Sequence, residues 1–409
     1  MDGMRPSLHD AWWRLATQPH PHSFTDALAC HFLRAGSLAY RAAIGVRNAA
    51  FDRGWARRVR LPCRVISVGN LTVGGTGKTA CVERVAAQLA SQGRRVAVLS
   101  RGYGGRRDPY WVQWQEGRLR VSGLGSDTFG VRPLQGQDLP APRHDARDDR
   151  SSARQAGGVA DEPQLLAQHV AGLPVVVGAR RDRAGRFACR TFGVDTVILD
   201  DGFQHRRLHR DCDLVLVHAR TPFGGWDLLP RGPMREPLTA LRRADIIVIT
   251  KADEAMETLA ALKERLRAVN PDAVLATAAH QPTSLRDGVS GSDLPLARLD
   301  GARVGLVSSI GDPAGFEATA GRLHATRLWH QAFADHHAYR PAEWLAVLAK
   351  AEADRADAIL TTEKDWVRLE RLARAHPPSR VPVWILGVAM TFLSGKEELY
   401  ARLARLYAG

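Results

Sequence analysis

The chain is 409 residues long and 45% apolar, enough for more than one hydrophobic core, and ordinary domain sizes divide it into two or three units. Its 57 basic and 43 acidic residues leave a formal charge of +14, which favours an anionic partner: a phosphorylated substrate, an acidic membrane surface or nucleic acid. Scattered arginines without a zinc-finger pattern, an RNP-like aromatic motif or a lysine-rich tail argue against nucleic acid. Five widely spaced cysteines without a C-x-x-C pair argue against a disulfide framework or a zinc site and fit a reducing compartment.

Residues 1–60 read as an N-terminal amphipathic region. Between Ser23 and Val59, apolar Phe24, Leu28, Phe32, Leu38, Val46 and Phe51 alternate with Arg34, Arg41, Arg47, Arg53, Arg57 and Arg58. Such a helix suits an anionic headgroup layer, and it equally suits packing on a domain. No secretory signal pattern precedes it, and no stretch of 18 uncharged apolar residues occurs anywhere, so a spanning helix is not expected.

At Val65–Thr79, VISVGNLTVGGTGKT, a short apolar strand empties into a glycine-dense loop ending Gly77-Lys78-Thr79. Backbone N–H groups in such a loop converge on phosphate, the lysine reaches the β- and γ-phosphates, and the threonine hydroxyl ligates Mg²⁺ at the start of a helix. Residues Thr72, Val73, Gly74, Gly75, Thr76, Gly77, Lys78 and Thr79 are therefore the expected nucleotide cradle. The usual G-x-x-x-x-G-K-[ST] pattern would place glycine where this chain has Thr72. Ala80–Ala90 then shows the apolar spacing of a helix packed on a sheet.

Apolar runs follow at Arg95–Ser100, Pro174–Val177, Val194–Leu199, Leu214–Val217 and Asp245–Thr250, and later at Arg303–Ser308, Ala358–Thr362 and Val383–Leu386. Strands this apolar are covered on both faces, so they predict an α/β fold with a mostly parallel sheet and its active site at the strands' carboxyl ends. Residues 106–160 interrupt the rhythm as an insertion: Tyr110–Trp114 reads as one extra strand, and the polar Arg143–Gly158 tail as a mobile surface segment. A boundary in the Ser-, Gly-, Asp- and Pro-rich Gln281–Leu299 stretch divides a core at 61–285 from a second α/β unit at 286–409.

Asp200 and Asp201 end an apolar run at Val197–Leu199, which suits a Mg²⁺-holding carboxylate beside the phosphate loop or, more plainly, a solvated turn. Thr250-Lys251-Ala252-Asp253 has the form of a guanine-reading motif and keeps a P-loop GTPase in view, although no D-x-x-G switch accompanies it. Asp161-Glu162 and Asp335-His336-His337 lack the spacing of a zinc site, and a His–carboxylate acid–base pair is their alternative use.

Taken in order, GNLTVGGTGKT (69–79), SRGYGG (100–105), DEP (161–163), GARR (178–181), DDGFQHRRL (200–208), LLPRGPMREP (228–237), ITKAD (249–253), SSIGDPAGF (308–316), DHHAY (335–339) and TTEKDWVRL (361–369) resemble the tetraacyldisaccharide 4′-kinase family from about Ser37 to the C-terminus. The resemblance implies transfer of the γ-phosphoryl of ATP to the 4′-hydroxyl of tetraacyldisaccharide 1-phosphate, giving lipid IVA in lipid A synthesis at the cytoplasmic face of the bacterial inner membrane. It implies a P-loop core, a smaller C-terminal domain, a basic helix on an anionic membrane surface, and no obligate protein partner. Asp161 takes the part of the catalytic base with His336 as its partner, His337 being adjacent. Thr79, Glu162, Asp200 and Asp201 organise Mg²⁺, and Arg101, Arg181 and Arg231 bind the phosphorylated disaccharide. A GTPase, another small-molecule kinase or a non-catalytic membrane scaffold are the readings this one competes with.

Overall fold

The computed structural model describes residues 12, 24–102, 109–116, 118–123, 160–224, 226–376 and 380–408. In chain order the elements of the first half are α1 (Phe24–Asp52), β1 (Arg64–Asn70), α2 (Lys78–Ser91), β2 (Val96–Ser100), β3 (Tyr110–Gln115), β4 (Arg118–Gly123), α3 (Asp161–His169), β5 (Val175–Val177), α4 (Arg181–Phe192), β6 (Thr196–Asp200), β7 (Cys212–His218), β8 (Ile246–Thr250) and α5 (Met256–Val269). The second half adds β9 (Val274–Asp287), β10 (Asp293–Leu294), β11 (Arg303–Ser308), α6 (Pro313–Arg322), β12 (Thr326–Ala332), α7 (Pro341–Ala353), β13 (Ala358–Thr362), α8 (Glu363–Ala375), β14 (Val383–Ser394) and α9 (Lys396–Ala404).

All the strands among the described residues join one sheet in the order β12-β11-β13-β14-β9-β8-β7-β1-β6-β2-β5-β3-β4, with β10 paired to β9. The central strands are parallel and buried along their length, as their unbroken Val, Ile and Leu runs require when helices cover both faces. The chain leaves β1 through α2 to β2, comes back to insert β6 between them, and then crosses to β7 on the other side of β1. This reversal opens a crevice at the carboxyl ends of β1 and β6, where ligands bind in open α/β sheets.

Two features lay outside the expected pattern. The strand expected at Tyr110–Trp114 is the first arm of an antiparallel hairpin with β4, and the buried Tyr110 hydroxyl accepts the Ala160 N–H at 2.9 Å, fixing the residue just ahead of Asp161. Long β9 pairs antiparallel with β14 through two register shifts, and it runs into the stretch where the boundary was expected. Its small residues and Pro282 hide a strand from pattern reading. The Arg143–Gly158 tail lies outside the described residues.

The second half has its own apolar clusters, one of them gathering Trp344, Val347, Ile359, Trp366, Leu369 and Val383. Leu399 and Leu403 of α9, with Leu406, instead return to the core formed around β1 and α2. Helix α1 turns polar groups inward. Ser37 Oγ donates to the Leu228 carbonyl at 2.8 Å, Tyr40 OH to the Arg235 carbonyl at 3.0 Å, and Asn48 Nδ2 to the buried Glu236 at 2.9 Å. Its outer face carries Leu28, Phe32 and Val46, 50%, 72% and 72% exposed.

Candidate nucleotide and phosphoryl-transfer site

The phosphate loop forms because β1 ends against a clamp. Leu71 carbonyl accepts the Arg235 N–H at 2.7 Å, Val73 N–H donates to the Pro233 carbonyl at 2.8 Å, and Thr72 forms an antiparallel bridge with Met234. Thr72 thus sits in extended backbone without positive φ, which explains why this loop needs no glycine there. Gly77 does need its freedom: at φ 79° it caps α2 in the left-handed region, and a Cβ would fall 2.5 Å from His280 Cε1. Asn70 holds the loop from beneath, donating to Thr76 Oγ1 at 2.9 Å and accepting from Lys78 Nζ at 3.3 Å.

Around this loop opens a cleft of about 590 Å³, in the size range of small-molecule sites. Val73 to Thr79, Glu162, Asp201 and His336 of the expected residues line it, together with Arg235, Lys251 and His280. The second half closes the far wall, with Gly311 so close to Gly75 that a Cβ on Gly311 would meet the Gly75 nitrogen at 3.0 Å.

The carboxylates at the end of β6 differ sharply. Burial raises the Asp200 carboxyl to about 7, and the neighbouring charges of Glu162 and Asp201 add to that rise. Asp201 is partly buried, but Lys78 and Arg235 outweigh that desolvation and hold it below the usual carboxylate range. Arg235 Nη1 donates to both Asp201 oxygens at 2.8 Å, while Lys78 Nζ lies 3.8 Å away. Among the described residues no three His, Cys, Asp or Glu side chains cage a metal by themselves. The adjacent carboxylates of Asp200 and Asp201 at the end of β6 fit the one or two carboxylates that Mg²⁺ takes in a nucleotide site, where phosphate oxygens and water complete its shell. A cation there would offset both the burial that chiefly raises Asp200 and the repulsion from Glu162 and Asp201 that adds to it.

Across the cleft Asp161, at the first turn of α3 and only 6% exposed, lies 3.3 Å from His336 Nδ1 and 3.5 Å from Arg368. Burial raises the Asp161 carboxyl, but His336, Lys364 and Arg368 together bring it below its ordinary value. The Asp161 bond in turn raises the His336 imidazole. His336 adopts φ 60° and donates its backbone N–H to the Ser309 carbonyl. His337 points elsewhere: its Nε2 is 2.9 Å from Glu343, and its ring stacks on Phe333 with centroids 4.7 Å apart.

Several residues here escaped the sequence reading. Lys364 Nζ reaches Glu162 at 3.1 Å, Asp335 at 3.4 Å and His336 Nε2 at 3.5 Å. Asp365, fully buried, accepts from Ser309 N and Oγ, Tyr339 OH and Arg368 through Oδ1 and from Thr362 through Oδ2, so it fixes the loop that carries His336. Lys364 and Arg368 are like charges four apart at a helix start, a spacing unfavourable on a free surface and the available signal of partners from elsewhere.

Three expected substrate arginines stand outside the cleft lining. Arg181, buried at the start of α4, donates to the Gly178 carbonyl at 2.6 Å and faces the Asp200 carbonyl at 3.5 Å. Arg101 is exposed just past β2, and Arg231 is buried in the loop beneath α1, its N–H bonded to Ser37 Oγ at 2.9 Å. The guanine-like segment is committed to joining the halves. Lys251 pairs with Asp312, and the exposed Asp253 lies 3.6 Å from Arg322.

A family model described as tetraacyldisaccharide-1-P 4′-kinase matches residues 29–129 and 140–408. The chain belongs to the tetraacyldisaccharide 4′-kinase family. A relative of that name from Anaeromyxobacter sp. (strain K) is 40% identical over 397 residues, covering 97% of this chain and 94% of the relative. Another from Halothermothrix orenii is 33% identical over 390 residues, with 93% of each chain covered. The crystal structure of LpxK from Aquifex aeolicus in complex with ATP superposes with a TM-score of 0.62 at 26% identity, covering 91% of this chain and 97% of that one. The family and this fold make the chain a kinase of the P-loop class, and the GTPase alternative is not favoured.

Proposed function

We propose that this kinase transfers the γ-phosphoryl of ATP in line to the 4′-hydroxyl of tetraacyldisaccharide 1-phosphate, forming lipid IVA without a phosphoenzyme. The supporting observation is one cleft in which Lys78 and the phosphate loop face His336 and Lys364, with Asp161, paired to His336 and to Arg368, just behind that wall. Gly74 to Thr79 bind the phosphates through backbone N–H groups, Thr72 and Val73 being held against the 233–234 segment as the cradle's fixed edge, with Lys78 drawing charge toward the β- and γ-phosphates. Asp161 accepts the hydroxyl proton as transfer proceeds. A carboxylate held ionised by the His336 hydrogen bond and the charges of Lys364 and Arg368 suits that task in a loose transition state, where positioning and charge neutralisation supply most of the rate.

Thr79, Glu162, Asp200 and Asp201 are the residues that would hold Mg²⁺, whose bound charge neutralises the phosphate oxygens. Arg181, Arg101 and Arg231 are assigned to the disaccharide and its 1-phosphate on the suitability of guanidinium forks for phosphate oxygens. No described helix is long and apolar enough to cross a membrane. The outward stripe of Leu28, Phe32, Ala35, Ala39, Ala42 and Val46, flanked by exposed Arg34 and Arg41, instead supports a helix lying in an anionic bilayer surface on the cytoplasmic side. The working division is 1–60 for membrane contact, 61–285 for the nucleotide core and 286–409 for the closing unit.

The test is transfer of label from γ-labelled ATP to purified tetraacyldisaccharide 1-phosphate in detergent with Mg²⁺. Labelled lipid from wild type, and none from Lys78→Ala, is the expected result. Nucleotide hydrolysis that leaves the lipid unlabelled overturns the substrate assignment.

A further inference from the structure

Away from the cleft, at the amino-terminal end of the central strands, two cysteines from distant parts of the chain face each other. Cys63 enters β1 and Cys189 lies in α4, and their Sγ atoms are 3.2 Å apart across 126 residues of sequence. Both are partly exposed, whereas Cys30, Cys81 and Cys212 are buried. Burial pushes the Cys81 thiol to about 12 and raises Cys212 as well, so those two resist deprotonation.

The packing brings the two backbones together independently of the sulfurs. Leu61 lies against Gly185 of α4, where a Cβ would meet Leu61 Cδ1 at 2.3 Å, and Cys63, Cys189, Leu61 and Phe187 border one apolar cluster with Val65, Ala184 and Ala188. Moving from 3.2 Å to a bonded separation of about 2.05 Å requires little more than rotation of two side chains. Cys63 also lines a cavity of about 470 Å³ whose polar wall carries Arg60, Arg64 and Arg94 together with Asp195 and Asp211, an opening through which a small oxidant reaches the pair. The thiols share a hydrogen bond that couples their ionisation, so the proton leaving one sulfur is held between the two.

We infer that Cys63 and Cys189 are a covalent modification site, forming a reversible intrachain disulfide when the protein meets a peroxide or a low-molecular-weight disulfide. With hydrogen peroxide, the thiolate of one cysteine attacks one oxygen, the O–O bond breaks, and hydroxide leaves to be protonated to water. The other cysteine then attacks the sulfenic sulfur and releases the second water, so two thiols lose two electrons and one peroxide gains them. With glutathione disulfide the same exchange passes through a mixed disulfide at one of the pair and releases two glutathione thiols. The bond ties the entry of β1, about 20 Å from the phosphate loop at strand rise, to α4.

The test treats the purified full-length protein with hydrogen peroxide or with oxidised glutathione and reads intact mass, titratable thiols and peptide map. The expected product has lost two hydrogens, has three titratable thiols in place of five, yields one peptide pair joining Cys63 to Cys189, melts several degrees higher, and reverts with dithiothreitol. Cys63→Ser should instead leave a stable glutathione adduct on Cys189. Two separate adducts on wild type, a cross-link through any other cysteine, or Cys63 and Cys189 both remaining alkylatable after oxidation overturns the inference.

Discussion

The Asp161–His336 pair makes a quantitative demand on mutant kinetics. Asp161→Asn keeps the side-chain shape in a pocket that is 6% exposed, but removes the charge that faces His336 at 3.3 Å and Arg368 at 3.5 Å. Loss of a positioned general base costs about 10²–10⁴ in rate, or about 3–5 kcal/mol of transition-state stabilisation. His336→Ala should cost less, about 10–100-fold, because Arg368 and Lys364 still hold Asp161 ionised. If the two act as one unit, the double variant should be no slower than Asp161→Asn alone, leaving a coupling energy of about 1.4–2.7 kcal/mol. The assay is single-turnover transfer of labelled phosphate at saturating ATP and lipid, with ATP affinity measured separately and expected to change little. Losses that multiply in the double variant would refute the pairing, and collapse of ATP binding would move both residues to a structural role.

Three further outcomes follow from the geometry. Gly77→Ala should weaken ATP binding by at least about tenfold in equilibrium titration, since its φ of 79° and the His280 ring 2.5 Å from the new Cβ both oppose the change; unchanged affinity would remove Gly77 from the cradle. His169, raised to about 10 by its bonds to Glu363 and Glu83, contributes stability that is complete below its ordinary 6.5 and lost as pH climbs toward 10. Wild type should therefore lose thermal stability across that window more steeply than His169→Gln, and equal slopes would sink the assignment. Phe32→Asp with Val46→Asp should reduce sedimentation with phosphatidylglycerol vesicles while leaving transfer to detergent-solubilised lipid unchanged; undiminished vesicle binding would exclude the stripe as the contact.

The central fold was legible because fully covered parallel strands must be apolar throughout, and runs such as Val96–Ser100 and Ile246–Thr250 could hardly be anything else. The phosphate loop was legible through glycine and the Lys-Thr pair, and even its departure at Thr72 has a local cause in the bridge to Met234. What stayed hidden depends on tertiary contacts. Strand β9 carries Ala, Thr and Pro282, a composition that acquires strand character only from β14 beside it. Lys364, Asp365 and Arg368 carry no readable chemistry in sequence, because a charged helix start resembles a solvated face until Asp161, Glu162 and Ser309 arrive from elsewhere. Arg235, four residues after Arg231 in the same motif, holds Asp201, a choice that neither residue type nor spacing could make.

The inside-out orientation of α1 couples two properties usually treated as separable. Its inner face supplies Asn48 and Arg47 to Glu236, a carboxylate with no exposure that otherwise keeps Arg243 at 2.9 Å. Trimming the helix to obtain a detergent-free enzyme would strip those donors from a desolvated charge, at about 1–3 kcal/mol, and loosen the 228–237 strap that also clamps Leu71 and Val73. The same segment would thus be at once a float on the lipid surface and a rivet under the phosphate loop, and a water-soluble form is better sought by changing its outer side chains than by cutting it away.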